Sequence, residues 1–144
     1  MARIVVDTSA VYAILRAEPD STLFKEALSR ATELFISSLS VFECKTVLWR
    51  RLGIDSSAEV YEILRLWSVQ VVPFNEDQLR IAYDCYRHYG RGSGHKAQLN
   101  YGDCAAYSLT RLLNAPLLFK GKDFIHTDII AALPLLVPEA GVSQ

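Results

Sequence analysis

Strands alternating with helices mark this chain as an α/β protein, and three features of the sequence predict it. Short apolar runs recur along the chain: Arg3 to Val6, Glu33 to Ser37, Val69 to Pro73 and Leu117 to Phe119. Between them lie segments whose apolar residues repeat at helical spacing, most of them introduced by Asp, Ser or Asn. The composition, 51% hydrophobic and 22% charged over 144 residues, is that of a globular chain able to bury a real core. Crossovers between such strands run right-handed, so the expected sheet is mostly parallel and covered by helices on both faces. Residues 1–144 are expected to form a single domain, since no repeat, linker or low-complexity tract divides them.

Each element has a local reason. The run Arg3 to Val6 stops at Asp7-Thr8-Ser9, residues that favour helix N-caps, and Val11, Ile14 and Leu15 then follow at helical spacing. Glu18-Pro19-Asp20-Ser21 breaks that helix and starts a second one reaching about Ala31. After the strand Glu33 to Ser37, Ser40 and Glu43 have capping-box spacing, Val41, Cys44, Val47, Leu48 and Leu52 mark an apolar face, and Gly53 closes the helix. Ser56 and Ser57 can cap a helix carrying Val60, Ile63, Leu64 and Trp67, after which Val69 to Pro73 reads as a strand stopped by proline. Asn75 caps a helix through Tyr89, ending in the glycine-rich loop from Gly90 to Gly94. Asn100 caps the next, with Asp103 in its first turn. Leu117 to Phe119 is a strand, Gly121 to Asp128 a turn, and Leu133 to Val137 a final strand.

Composition also excludes function classes. A net charge of −1 gives no generic attraction to nucleic acid, so any such contact must be local. Three cysteines, Cys44, Cys85 and Cys104, show neither C-x-x-C spacing nor histidine partners, which excludes a disulfide framework or zinc site and fits small buried residues in a reducing cytoplasm. No run approaches the roughly 20 apolar residues of a membrane span, and MARIVVDTS does not read as a secretory signal.

In a doubly wound sheet, ligands bind beyond the carboxyl ends of the strands near the point where strand order reverses. Acidic residues recur at such places: Asp7 after the first strand, Asp123 and Asp128 after the last, and Glu43 and Asp103 in the opening turns of helices. Carboxylates gathered from distant segments repel one another, so a native cluster implies bound cations or raised pKa values. Mg²⁺, which prefers oxygen and keeps several waters, suits such a cluster and would support phosphodiester hydrolysis. Each acid alone reads equally well as a helix-dipole or turn residue. Thr8 and Ser9 are candidates to touch a metal-bound water or a phosphate, and equally read as helix caps. Arg91, His95 and Lys96 beside the glycine-rich loop, with Lys120 and Lys122 around the last acidic motif, could hold substrate phosphates or be ordinary surface charge.

The segment LNYGDCAAYSLTRLLNAPLLFKGKDFIHTDI, Leu99 to Ile129, resembles the C-terminal signature of VapC-type PIN-domain toxins, a G-D-C-x-x-Y helix followed by an L-L-F-K-G-x-D-F-x-x-T-D turn. IVVDTSAVYAILRAEPD is similar to the family's N-terminal motif, and SSLSVFECKTVL to its central segment. The resemblance implies a PIN-like three-layer α/β/α sandwich with an acidic quartet, Asp7, Glu43, Asp103 and Asp123, that is catalytic and holds Mg²⁺, with Mn²⁺ as a substitute. Asp128, the T-D aspartate, is an alternative to Asp123 or shares its role, and Thr8 is an additional candidate. The implied activity is a cytoplasmic endoribonuclease toxin that cleaves single-stranded RNA with water as nucleophile, acts as a homodimer and is inhibited by a VapB-type antitoxin. Val11, Tyr12, Leu15, Phe42 and Leu48 are candidates for the antitoxin groove wherever they are exposed. Two other readings remain open: a non-catalytic PIN-like module that binds RNA or protein, which the intact quartet argues against, and a Mg²⁺-dependent phosphatase or DNA-directed nuclease.

Overall fold

The computed structural model describes residues 3–133. Chain order is β1 (Arg3–Val6), α1 (Thr8–Leu15), α2 (Ser21–Arg30), β2 (Glu33–Ser37), α3 (Ser38–Leu52), α4 (Ser57–Leu66), β3 (Val69–Val72), α5 (Glu76–Tyr89), α6 (Tyr101–Leu113) and β4 (Leu117–Leu118). The strands form one parallel sheet in the order β3-β2-β1-β4, with Ile4 opposite Leu34, Leu34 opposite Val69 and Val6 opposite Leu118. Among the described residues no helix is long and apolar enough to cross a membrane.

The alternation of side chains along each strand builds the layers. Ile4 and Val6 of β1, Leu34 and Ile36 of β2 and Leu118 of β4 join the apolar residues of α1 to α4 in one core. Their neighbours Val5, Phe35 and Leu117 point the other way and pack with Cys104, Ala106, Tyr107 and Leu109 of α6 and Cys85 of α5. Near-continuous apolar strands are what a sheet covered on both faces requires. The expected three-layer α/β sandwich is the fold observed.

Two helix starts differ in their capping from what the sequence suggests. α3 begins at Ser38 because Ser37 caps it, its Oγ accepting the Leu39 N–H at 3.2 Å, so Ser40 falls inside the helix and forms no capping box with Glu43. For α4 the N-cap is Ser56, as expected, but it makes no side-chain cap bond; Asp55 Oδ1 instead accepts the Ser57 N–H at 2.9 Å. Gly53 does close α3, in the left-handed region at φ 70°. The expected final strand Leu133 to Val137 lies outside the described residues beyond Leu133, and just before it Ala131 makes a parallel bridge to Leu117.

Strand order places the chemistry. The chain builds outward from β1 through β2 to β3, then returns to add β4 on the other side of β1. Asp7 follows β1 directly and its N–H donates to the Leu118 carbonyl at 2.9 Å, so the first acid sits where the two winding directions part.

Candidate active site

Asp7 is the N-cap of α1 and is only 6% exposed. Its Oδ2 accepts hydrogen bonds from the Ser9 N–H at 3.0 Å and the Ser9 hydroxyl at 2.6 Å, and Ser9 Oγ in turn accepts the Lys120 backbone N–H at 2.9 Å. The serine thereby joins the end of β1 to the segment after β4. Burial, reinforced by the charges of Glu43 and Asp123, raises the Asp7 carboxyl to about 6 against the pull of these hydrogen bonds.

Glu43 projects from the second turn of α3 and reaches back to α1. Thr8 Oγ1 lies 2.8 Å from the Ser40 carbonyl and 3.0 Å from Glu43 Oε1. A hydroxyl has one proton to give, so both contacts are full hydrogen bonds only when Glu43 itself carries a proton. Burial first, and then the negative charge of Asp123, raises the Glu43 carboxyl, while the hydrogen bond that Thr8 donates to it and the charge of Arg50 act in the opposite sense.

Asp103 occupies the third position of α6, where the capping box is complete. Asn100 Oδ1 accepts the Asp103 N–H at 2.8 Å, and Asp103 Oδ2 accepts the Asn100 N–H at 3.0 Å. This is the structural use its position allows, yet the side chain is 8% exposed and feels Asp7, Asp123 and Glu43. Burial and these charges raise it to about 7, against the hydrogen bond from Asn100. Asp123 stands exposed after β4, and its charge acts on each of the other three acids. Four carboxylates from four separate segments thus meet at one end of the sheet.

The donor set fits a hard divalent cation. All four groups offer oxygen, burial and negative neighbours already disfavour charge on Asp7, Glu43 and Asp103, and among the described residues none of the four is within ion-pair distance of a basic side chain. Among those residues no three acidic, histidine or cysteine side chains share a ready ligating arrangement. Mg²⁺ needs no such ready cage, since it is commonly held through one or two carboxylates with water completing the shell.

A PIN-domain family model matches residues 4–130. The chain belongs to the PIN-domain family. Within that family it belongs with the VapC ribonucleases. It is 42% identical over 125 residues to VapC ribonuclease Mb2780c of Mycobacterium bovis, covering 87% of this chain and 95% of that protein. It is also 42% identical over 129 residues to ribonuclease VapC28 of Mycobacterium tuberculosis, covering 90% and 97%. The fold is similar to that of Mycobacterium tuberculosis VapC20, described as a sarcin-ricin loop cleaving toxin, with a TM-score of 0.73 at 19% identity over 91% of this chain and 99% of that one. A toxin-antitoxin complex from Klebsiella pneumoniae gives a TM-score of 0.67 at 13% identity, covering 92% and 99%.

In this PIN domain the remaining candidates separate. Asp128 turns away from the quartet: Oδ1 accepts the Tyr107 hydroxyl at 2.8 Å and Oδ2 an Arg111 N–H at 3.1 Å. Lys120 directs its ammonium to Glu18 at 2.8 Å and Asp20 at 3.1 Å, while Lys122 and Arg91 are exposed and form no ion pair among the described residues. Of the suggested groove residues, Val11 and Leu48 are core, whereas Phe42 is 65% exposed. Thr8 holds Glu43 in place.

Gly102 is a site residue that the sequence reading passed over. A Cβ built there would overlap the Glu43 carboxylate, so any larger residue at this position would push that carboxylate away from where it now lies against the first turn of α6. A glycine inside the first turn of an otherwise good helix was the available signal. Ser40, expected as a cap, instead lends its carbonyl to the Thr8 hydroxyl, and its own buried hydroxyl has no hydrogen-bond partner among the described residues.

Proposed function

We propose that Asp7, Glu43, Asp103 and Asp123 are the catalytic and metal-holding acids with which this VapC-family ribonuclease hydrolyses RNA, residues 1–144 working as one cytoplasmic domain. The observation that carries this is their convergence: Asp7, Glu43 and Asp103 are each raised first by burial and then by the charge of other members of the set, Asp123 in every case. The chain's own groups prepare the centre. Ser9 fixes Asp7, Thr8 fixes Glu43, and the Asn100 capping box fixes Asp103. Asp123, exposed at the rim, adds the fourth carboxylate from the substrate side. Mg²⁺, or Mn²⁺ in its place, would be held by these oxygens and would lower the pKa of water and offset phosphate charge. Lys122 and Arg91 supply free positive charge for neighbouring phosphates, and Lys120 can contribute only by releasing Glu18 and Asp20. Unpaired RNA suits the site, because its backbone bends into a recess that a stiff duplex spans.

Two partners complete the reading: a VapB-type antitoxin and a second copy of the chain. Phe42 and Trp49, 65% and 60% exposed on α3, offer apolar surface for such contacts. The test is cleavage of a panel of transfer, ribosomal and messenger RNA with Mg²⁺ or EDTA, by the wild-type protein and by Asp103→Asn. Cleavage that needs both the metal and Asp103 is expected; full activity in Asp103→Asn would overturn the assignment.

A further inference from the structure

One turn along α6 from Asp103 the helix walls a cleft of about 410 Å³ that the acid quartet does not use. Asp84, Cys85, His88 and Tyr89 line it from α5, and Tyr107 and Arg111 from α6. Tyr107 and Arg111 stand four and eight residues beyond Asp103, a rise of about 6 and 12 Å along the axis. Cys85, buried on α5, lines the cleft opposite these two α6 residues. The cleft is therefore next to the catalytic end of the helix, within the reach of about one or two extended nucleotides.

The walls are aromatic and already held in place. Tyr89 and Tyr107 have ring centroids 5.9 Å apart, and His88 lies edge-on to Tyr89 at 4.4 Å. Asp128 fixes the Tyr107 hydroxyl, and the Arg111 guanidinium stands 5.9 Å from the centre of that ring. Arg111 uses one donor on Asp128 and keeps the others. Across the cleft Asp84 is exposed and only loosely engaged by Arg87 at 3.9 Å. With Asp84 and Asp128 balancing Arg111 and Arg87, no surplus positive charge remains to attract a phosphate. The complement is a neutral planar ring that stacks on aromatic faces, accepts from a guanidinium on one edge and donates to a carboxylate on the other. Guanine meets that description through O6 and N7 on one edge and N1–H and the 2-amino group on the other. Adenine and the pyrimidines lack this pairing of two adjacent acceptors on one edge with two adjacent donors on another.

We propose that this α5–α6 cleft receives an unpaired guanine of the substrate RNA, one or two nucleotides from the bond that is cut, with Arg111 and Asp84 as its specificity-determining residues. The inference rests on the ribonuclease reading above. Asp84 lies outside the catalytic acids and its side chain is exposed, so Asp84→Ala should fold normally.

The experiment uses short single-stranded RNA substrates in which each guanosine near the cut is replaced in turn by inosine, which lacks the 2-amino donor. At one position wild-type cleavage should fall about fivefold or more, and in Asp84→Ala the guanosine-to-inosine ratio should approach one. A parallel measurement follows backbone amide shifts on adding guanosine or cytidine to the intact protein. A protein that cuts RNA in a metal- and Asp103-dependent way but discriminates at no position, or whose discrimination survives Asp84→Ala, overturns the guanine cleft and leaves the ribonuclease standing. A protein that cuts no RNA, yet shifts its Asp84, Tyr107 and Arg111 amides with guanosine and not with cytidine, keeps the cleft and overturns the ribonuclease reading.

Discussion

Asp7 and Asp103 are buried against the preference of a carboxylate for water, and this makes stability depend on pH. An aspartate in the unfolded chain titrates near ~3.9, whereas in the metal-free fold Asp7 titrates at about 6 and Asp103 at about 7. Between those values the folded state holds more protons than the unfolded one, so stability is greatest below the unfolded value and declines as pH rises through the folded ones. Calorimetry in EDTA should show the melting temperature falling from about pH 5 to pH 8, with a loss on the order of 2–4 kcal/mol. Asp103→Asn should flatten that profile and be the more stable protein at pH 8. A wild-type melting temperature that rises over this range would contradict the burial argument. Gly102 makes a second prediction at this scale. Gly102→Ala should cut activity about tenfold or more by displacing Glu43, yet add little to the loss already caused by Glu43→Ala, since coupled residues are non-additive. Fully additive losses would separate the two residues.

Helix ends account for both the agreement and the disagreement between sequence and structure at the element scale. The Asn100 cap and the positions of α5 and α6 were legible, because a capping residue followed by apolar spacing leaves few alternatives. The start of α3 was not: Ser37, Ser38 and Ser40 can each cap, and only burial of the β2–α3 junction selects Ser37. That choice rotates Ser40 into the interior and turns Glu43 from an expected capping partner into an acid facing Thr8. Asn100→Ala should cost about 1 kcal/mol by urea unfolding and lower activity as well, because the same box orients Asp103. Asn100→Ser should restore most of the stability. Gly53→Ala should cost about 1–2 kcal/mol through left-handed backbone strain alone, since nothing lies within contact of the added methyl group, and should leave cleavage unchanged.

Over the whole molecule, the return of the chain to add β4 beside β1 brings Asp123 to the acids that the first three segments set out. A divalent ion that binds the fold and not the unfolded chain should therefore raise the melting temperature, by an amount that grows with metal concentration. The rise should be larger at pH 8 than at pH 6, where more of the acid protons must first be displaced, and should be lost in Asp103→Asn. An equal rise in wild type and variant would place the ion elsewhere. The same topology carries the α5–α6 cleft on the helix whose first turn holds Asp103, so recognition and cleavage share one rigid element.

The sequence by itself determined the four strands and the helices between them, since period-two and helical apolar spacing and the cap residues are local properties of neighbouring side chains. It also determined which acids were candidates, through their places after strands and in first turns and through the motifs around them. Tertiary structure alone decided that the charge of Asp123 acts on Asp7, Glu43 and Asp103 while Asp128 is hydrogen-bonded by Tyr107 and Arg111. It also tied Lys120 to Glu18 and Asp20, and set Gly102 directly against the Glu43 carboxylate. Each of these depends on distances between segments far apart in the chain, and such distances are fixed only when strand order and core packing bring the segments together.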